Sequence, residues 1–141
     1  MPNLTNQFYT FTNNRKTTHY IETRTYLGNG IKDVLNNYEN IHSIELADKW
    51  YHYNVEQFKN NCNVKMYLGD SKKILPELLN YIKEPITIYL DAHYSGEQPL
   101  LEKRKCLCYM SLKYKKRAYD DIIIIDECRL LGKNRYMRCR R

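Results

Sequence analysis

The sequence predicts an α/β domain built on a doubly wound parallel sheet, and three observations carry that prediction. Short apolar runs suited to strands alternate with segments whose apolar residues recur at helical spacing, the order that builds a parallel sheet with right-handed crossovers. Residues 122–125 are isoleucine at every position, as expected of a strand covered on both faces. Each of the five expected strands runs into an acidic residue: Glu22, Glu45, Asp70, Asp91 and Asp126. In open parallel sheets ligands bind beyond the carboxyl ends of the strands, so this shared polarity points to a ligand site there.

The elements follow in order. Residues 1–16 are polar, rich in Asn and Thr and without periodicity, and read as a lead-in to a domain over 17–132. The first strand spans 18–23. The stretch 19–30 passes from an apolar run through Glu22 into a loop with Gly28 and Gly30, then into an amphipathic segment. A glycine-bearing loop between strand and helix offers backbone N–H groups to a cofactor, because residues without Cβ allow close approach to the main chain. Ile31, Val34 and Leu35 mark a short helix over 30–38. A second strand, 41–45, ends on Glu45. It precedes a helix over 48–59 whose apolar stripe is Trp50, Tyr51, Val55 and Phe58, with Asp48 at its start. Strand three, 64–68, runs into Gly69, Asp70 and Ser71; the helix over 72–83 carries Ile74, Leu75, Leu78, Leu79 and Ile82, with Pro76 in an early turn. Strand four, 86–90, ends at Asp91, Ala92 and His93. A helix is expected over 100–117 before the all-isoleucine strand, which stops at Asp126 and Glu127.

Composition narrows the class. A chain of 141 residues holds one domain with a core and is too short for two. No apolar run approaches the ~20 residues that span a bilayer, and the N-terminus has no signal-peptide pattern, so an intracellular, cytoplasmic protein without membrane contact is expected. The five cysteines are odd in number and lack paired C-x-x-C spacing, which favours reduced thiols over a disulfide framework; Cys106 and Cys108 have no second pair to complete a zinc site. The net charge of +7 is concentrated. Seven cations fall within 103–117 and five within 133–141, a basic tail, while the rest of the chain is net acidic. Such blocks attract nucleic acid or form solvated faces.

A glycine loop with an acid at the end of strand two also suits a dinucleotide domain, in which that acid takes the ribose. The third strand favours a different ligand, since Gly69 and Asp70 place a small residue and a carboxylate beside the expected adenine. At this point the chain resembles the class I S-adenosylmethionine (SAM)-dependent methyltransferases. The resemblance is to small members with a Tyr-Ile-Glu-Thr-Gly-Thr-Tyr-Leu-Gly-x-Gly loop, followed by Ser-Ile-Glu-Leu, Leu-Gly-Asp-Ser, Leu-Asp-x-His-Tyr-Ser-Gly and Ile-Ile-Asp-Asp-Cys-Arg-Leu. Matching pieces stand at 20–30, 43–46, 68–71, 90–96 and 124–131. The resemblance implies a Rossmann-like three-layer sandwich. It further implies that Glu22 and the loop with Thr25, Gly28 and Gly30 hold the methionine part of SAM, that Glu45 holds the ribose hydroxyls, and that Asp70 and Ser71 hold the adenine region. Asp91 and His93 would face the methyl donor as catalytic residues, and His93 has a side chain suited to take a proton from the acceptor near neutral pH. Alternatively Asp91, Asp126 and Glu127 would bind Mg²⁺, similar to the catechol O-methyltransferase type.

Two departures set up a competing expectation. Arg24 stands where the resembled motif has glycine, and a long cationic side chain is ill suited to a φ > 0 position. After the fifth strand the resemblance implies a helix and two further strands, for which residues 129–141 read as too short and too charged. The alternative to a methyltransferase is therefore a catalytically inactive remnant of that fold, acting as a binding module for nucleic acid through 103–117 and 133–141 or for a protein. An uncovered sheet edge would also favour a dimer.

Overall fold

The computed structural model describes residues 17–91, 117–126 and 136–138. Its elements run β1 (His19–Thr23), α1 (Asn29–Val34), β2 (Asn40–Glu45), α2 (Asp48–Gln57), β3 (Val64–Leu68), α3 (Ser71–Tyr81), β4 (Ile86–Asp91), β5 (Ile122–Asp126) and β6 (Tyr136–Arg138). The strands form one sheet in the order β3-β2-β1-β4-β5-β6. The first five are parallel. The chain order reverses between β1 and β4, so the doubly wound arrangement expected from the alternation of elements is present, with β4 and β5 both interior.

Strand alternation builds two cores from the same residues. Tyr20, Ile41, Ile122 and Ile124 face α1 and α2 and pack with Ile31, Val34, Tyr38 and Phe58. Ile21, Ile44, Ile86, Ile88 and Ile123 face the other way, onto Leu75, Leu78 and Leu79 of α3 and Ile82 just beyond it. The result is three layers.

The sixth strand falls inside the segment read as a basic tail. Ile122, Ile123 and Ile124 pair antiparallel with Arg138, Met137 and Tyr136. The outer edge of a buried strand needs partners for its N–H and C=O groups. That demand is met by main chain and is indifferent to the charge of the side chains, which is also common on edge strands. Helix ends differ by a few residues from expectation. The first helix stops at Val34 and passes into a turn closed by Asn37 N–H on the Val34 carbonyl. Pro76 is the sixth residue of α3, in its second turn; it removes the bond to the Lys72 carbonyl while the helix continues. Residues 1–16 and the expected helix over 100–117, Arg117 excepted, lie outside the described residues.

Arg117 itself is internal. Its Nε donates to Asp121 Oδ2 at 2.7 Å, Nη1 donates to the carbonyls of Leu79 and Ile82, and Nη2 donates to that of Glu84. The guanidinium thereby satisfies the open carbonyls at the end of α3. Asp121 in turn accepts the Ile86 N–H at 3.1 Å and fixes the start of β4. One cation of the basic block is thus withdrawn from any surface role. Among the described residues no helix is long and apolar enough to cross a membrane.

Candidate functional site

The carboxyl ends of β1, β2 and β3 converge on the loop between β1 and α1. That loop leaves the sheet with Arg24, whose N–H still reaches the Ile44 carbonyl at 2.8 Å. It then turns tightly, Gly28 N–H bonding the Thr25 carbonyl at 2.9 Å, and enters α1 through Gly28. Three of its residues have left-handed backbone: Arg24 (φ 66°), Tyr26 (φ 48°) and Gly28 (φ 76°). The arginine at the glycine position therefore takes the conformation that glycine would take. Gly28 is required twice over. Besides its φ, an added Cβ would lie 2.7 Å from Gln57 Nε2 and 2.8 Å from Phe58 Cε2, and would collide with Asn54 Oδ1. Gly30 is needed for space: a Cβ there would strike the Glu22 carboxylate, which sits directly against this helix start.

Glu22 is buried and anchors a hydroxyl chain. Ser43 Oγ donates to Glu22 Oε1 at 2.7 Å, and Thr25 Oγ1 lies 2.5 Å from Ser43 Oγ. Ser43 has one hydroxyl proton, committed to the carboxylate, so Thr25 is the donor in the second bond. All three residues are buried. Glu45, also buried, uses both oxygens to join two loops: Oε2 accepts Tyr26 N–H and Oε1 accepts Ala47 N–H, each at 2.8 Å. From the other side α2 holds the loop by its carbonyls. Asn54 Nδ2 donates to Tyr26 O at 2.6 Å and to Trp50 O at 2.8 Å, and Gln57 Nε2 donates to Leu27 O at 3.2 Å. Above these polar ties stands an open apolar rim, with Tyr26, Leu46 and Leu68 all exposed.

No protein-family model and no curated protein matches the chain. Solved structures do. SMU.1697c of Streptococcus mutans, in complex with SAH, superposes with a TM-score of 0.57 at 15% identity, covering 78% of this chain and 62% of that one. SAM-bound CalS10, an amino pentose methyltransferase from Micromonospora echinaspora, gives 0.58 at 11% identity over 83% of this chain and 46% of that one. The human methyltransferase 10 domain containing protein gives 0.58 at 21% identity over 84% and 59%. This is the class I methyltransferase fold. The chain spans less than two thirds of the length of each of these three neighbours.

Placed on the methyltransferase fold, the residues singled out from sequence divide by strand. Glu22, Thr25, Gly28, Gly30 and Glu45 meet around one loop. Asp70 stands beyond β3 and caps α3, its Oδ1 accepting Lys72 N–H at 2.9 Å, with Ser71 the first helical residue. Asp91 and Asp126 are register partners at the ends of β4 and β5; His93 and Glu127 lie outside the described residues. Among the described residues no group of three His, Cys, Asp or Glu side chains is placed to hold a metal ion; of the expected Mg²⁺ ligands, Glu127 lies outside those residues.

Sequence reasoning missed Ser43, Asn54 and Gln57. Asn54 is fully buried, whereas Val55, placed in the apolar stripe of this helix, is 40% exposed. The helix is rotated to bring a donor to the loop carbonyls, which outweighs burial of one valine. A polar residue four positions after Trp50 was the available signal.

Proposed function

We propose that the domain binds SAM at the carboxyl ends of β1, β2 and β3 and transfers its methyl group to an acceptor. The observation that carries this reading is Glu45, a buried carboxylate at the end of β2 that meets the glycine loop leaving β1. The fit is chemical. Each Glu45 oxygen accepts one N–H and keeps a lone pair for a further donor, which suits the two hydroxyls of a ribose. Leu46 and Leu68, exposed on the same rim, offer apolar surface to a planar base, beside Asp70 and Ser71. Glu22 and the Thr25–Gly30 loop border the place for the methionine part.

Bound SAM supplies an electrophilic methyl group on a sulfonium. Transfer of that group demands in-line alignment more than covalent help, so the chain's contribution is positioning by Glu22, Glu45 and the loop. Asp91, the last residue of β4, and His93 beyond it are assigned to the acceptor side, with His93 taking the acceptor proton.

Arg24 favours a second reading, a binding module that keeps the fold without catalysis, because its side chain departs from a left-handed position at the loop itself. Calorimetric titration with SAM and S-adenosylhomocysteine tests both. Wild-type protein binds, and Glu45→Ala weakens binding by about 1.5–3 kcal/mol, or about one to two orders of magnitude in Kd. Absence of binding at millimolar ligand removes the enzyme reading. Binding gained only in Arg24→Gly supports the second.

A further inference from the structure

On the sheet face that carries α3, away from the glycine loop, four side chains form an unbroken line across three strands. Tyr67 Oη of β3 lies 3.0 Å from His42 Nδ1 of β2. His42 Nε2 lies 3.0 Å from His19 Nδ1 of β1. His19 Nε2 lies 2.9 Å from Glu84 Oε1, in the turn between α3 and β4. The two imidazoles are nearly coplanar, 12° apart with centroids at 5.3 Å, so they meet edge to edge with nitrogen facing nitrogen. His42 is buried and the His19 side chain is 12% exposed.

Donor arithmetic gives this line a direction. An ionised carboxylate only accepts, so His19 Nε2 carries a hydrogen. In neutral His19 the other nitrogen, Nδ1, is then an acceptor, and His42 Nε2 must donate to it. That leaves His42 Nδ1 as an acceptor, and the Tyr67 hydroxyl must donate. With His19 neutral, one assignment satisfies every contact. When His19 is a cation its Nδ1 also donates, and each bond from there to Tyr67 must reverse.

We propose that Tyr67, His42, His19 and Glu84 form a proton-responsive chain whose polarity inverts when His19 takes a proton, switching buried His42 from its Nε2–H to its Nδ1–H tautomer. The protons balance along the line. Tyr67 passes its hydroxyl hydrogen to His42 Nδ1 and takes one from a solvent hydronium ion; His42 passes its Nε2 hydrogen to His19 Nδ1. One proton enters at half-buried Tyr67, and the charge comes to rest on His19 beside Glu84. The surroundings favour that resting place. Thr18 Oγ1 donates to Glu84 Oε2 at 2.7 Å, and this bond foremost, with His19 next, holds the Glu84 carboxyl below the usual range. Lys65 of β3 and His19 itself both oppose a charge on His42, whose burial opposes it more. Tyr81, at the end of α3, is the titratable group facing Tyr67, whose own hydroxyl is pushed up by burial and then by Tyr81, which keeps it neutral.

Long-range ¹H–¹⁵N correlation spectra of the histidine rings, followed against pH, test it. The expected result is a His42 that is Nε2–H at high pH and becomes Nδ1–H, still neutral, with the same midpoint as the protonation of His19. A His42 that keeps one tautomer through the His19 titration, or that takes the charge itself, overturns the proposal. Glu84 is exposed, so Glu84→Gln is a variant that keeps the fold. Without a fixed acceptor, His42 then shows both tautomers at high pH. A single His42 tautomer in that variant overturns the direction assigned to the chain.

Discussion

Arg117 and Asp121 form a pair with side chains 8% and 1% exposed, and the guanidinium meets four acceptors. Arg117→Met leaves a buried carboxylate with the Ile86 N–H and three carbonyls without this donor. Urea denaturation should show a loss of about 3–5 kcal/mol, the cost of breaking one side of a buried pair. Nothing in the sequence separates this cation from its neighbours at 113–116, because a charge counts alike whether it is solvated or enclosed. His42 carries a second prediction. Burial first, then His19 and Lys65, lower its pKa from the ordinary 6.5 to about 4. Between those values the unfolded chain binds the proton and the folded chain does not, so stability rises with pH across that window. Folding stability should therefore be complete above about pH 6.5 and fall by up to about 3 kcal/mol as pH drops toward 4. His42→Phe should flatten that acid limb in denaturation curves collected against pH.

At the scale of the element, the loop entering α1 and the helix α2 act as one unit. Arg24 and Tyr26 are non-glycine residues at positive φ, each costing about 1–3 kcal/mol that surrounding contacts must offset. Asn54 supplies one such contact, to the Tyr26 carbonyl, and Glu45 another, to the Tyr26 N–H. Asn54→Ala leaves the Tyr26 and Trp50 carbonyls without that donor and should lower stability by about 1–3 kcal/mol in chemical denaturation. It should also loosen hydrogen-exchange protection at Gly28 N–H, which closes the turn. Much of this unit was legible in the sequence. The glycines, Glu22 and Glu45 stood out because backbone conformation and strand-end polarity are local properties. Ser43 and Asn54 did not, since their roles come from orphan groups on a neighbouring element that periodicity cannot register.

For the whole molecule, the sheet order β3-β2-β1-β4-β5-β6 places β2, β1, β4 and β5 between neighbours and leaves β3 and β6 with one each. Amides of Ile86–Asp91 should exchange only on global unfolding, while those of Val64–Leu68 exchange earlier; the reverse ranking would contradict the topology. The five parallel strands and the interior placement of β4 and β5 followed from apolar pattern, whereas the sixth strand at Tyr136–Arg138 was obscured by its charge, although pairing depends on backbone alone. The packing of α2 has one more consequence. Trp50 is the chain's single tryptophan, and it stands edge-on to the Tyr26 ring at 4.6 Å and to Tyr53 at 6.0 Å. Tryptophan emission, excited selectively over the fourteen tyrosines, therefore originates beside this loop and reports on it. A ligand that bonds Glu45 beside the Tyr26 N–H should shift the Tyr26 ring and change the emission, and Glu45→Ala, which removes the Tyr26 N–H acceptor, should change it without ligand. The protein carries its own optical label at the place where binding is expected.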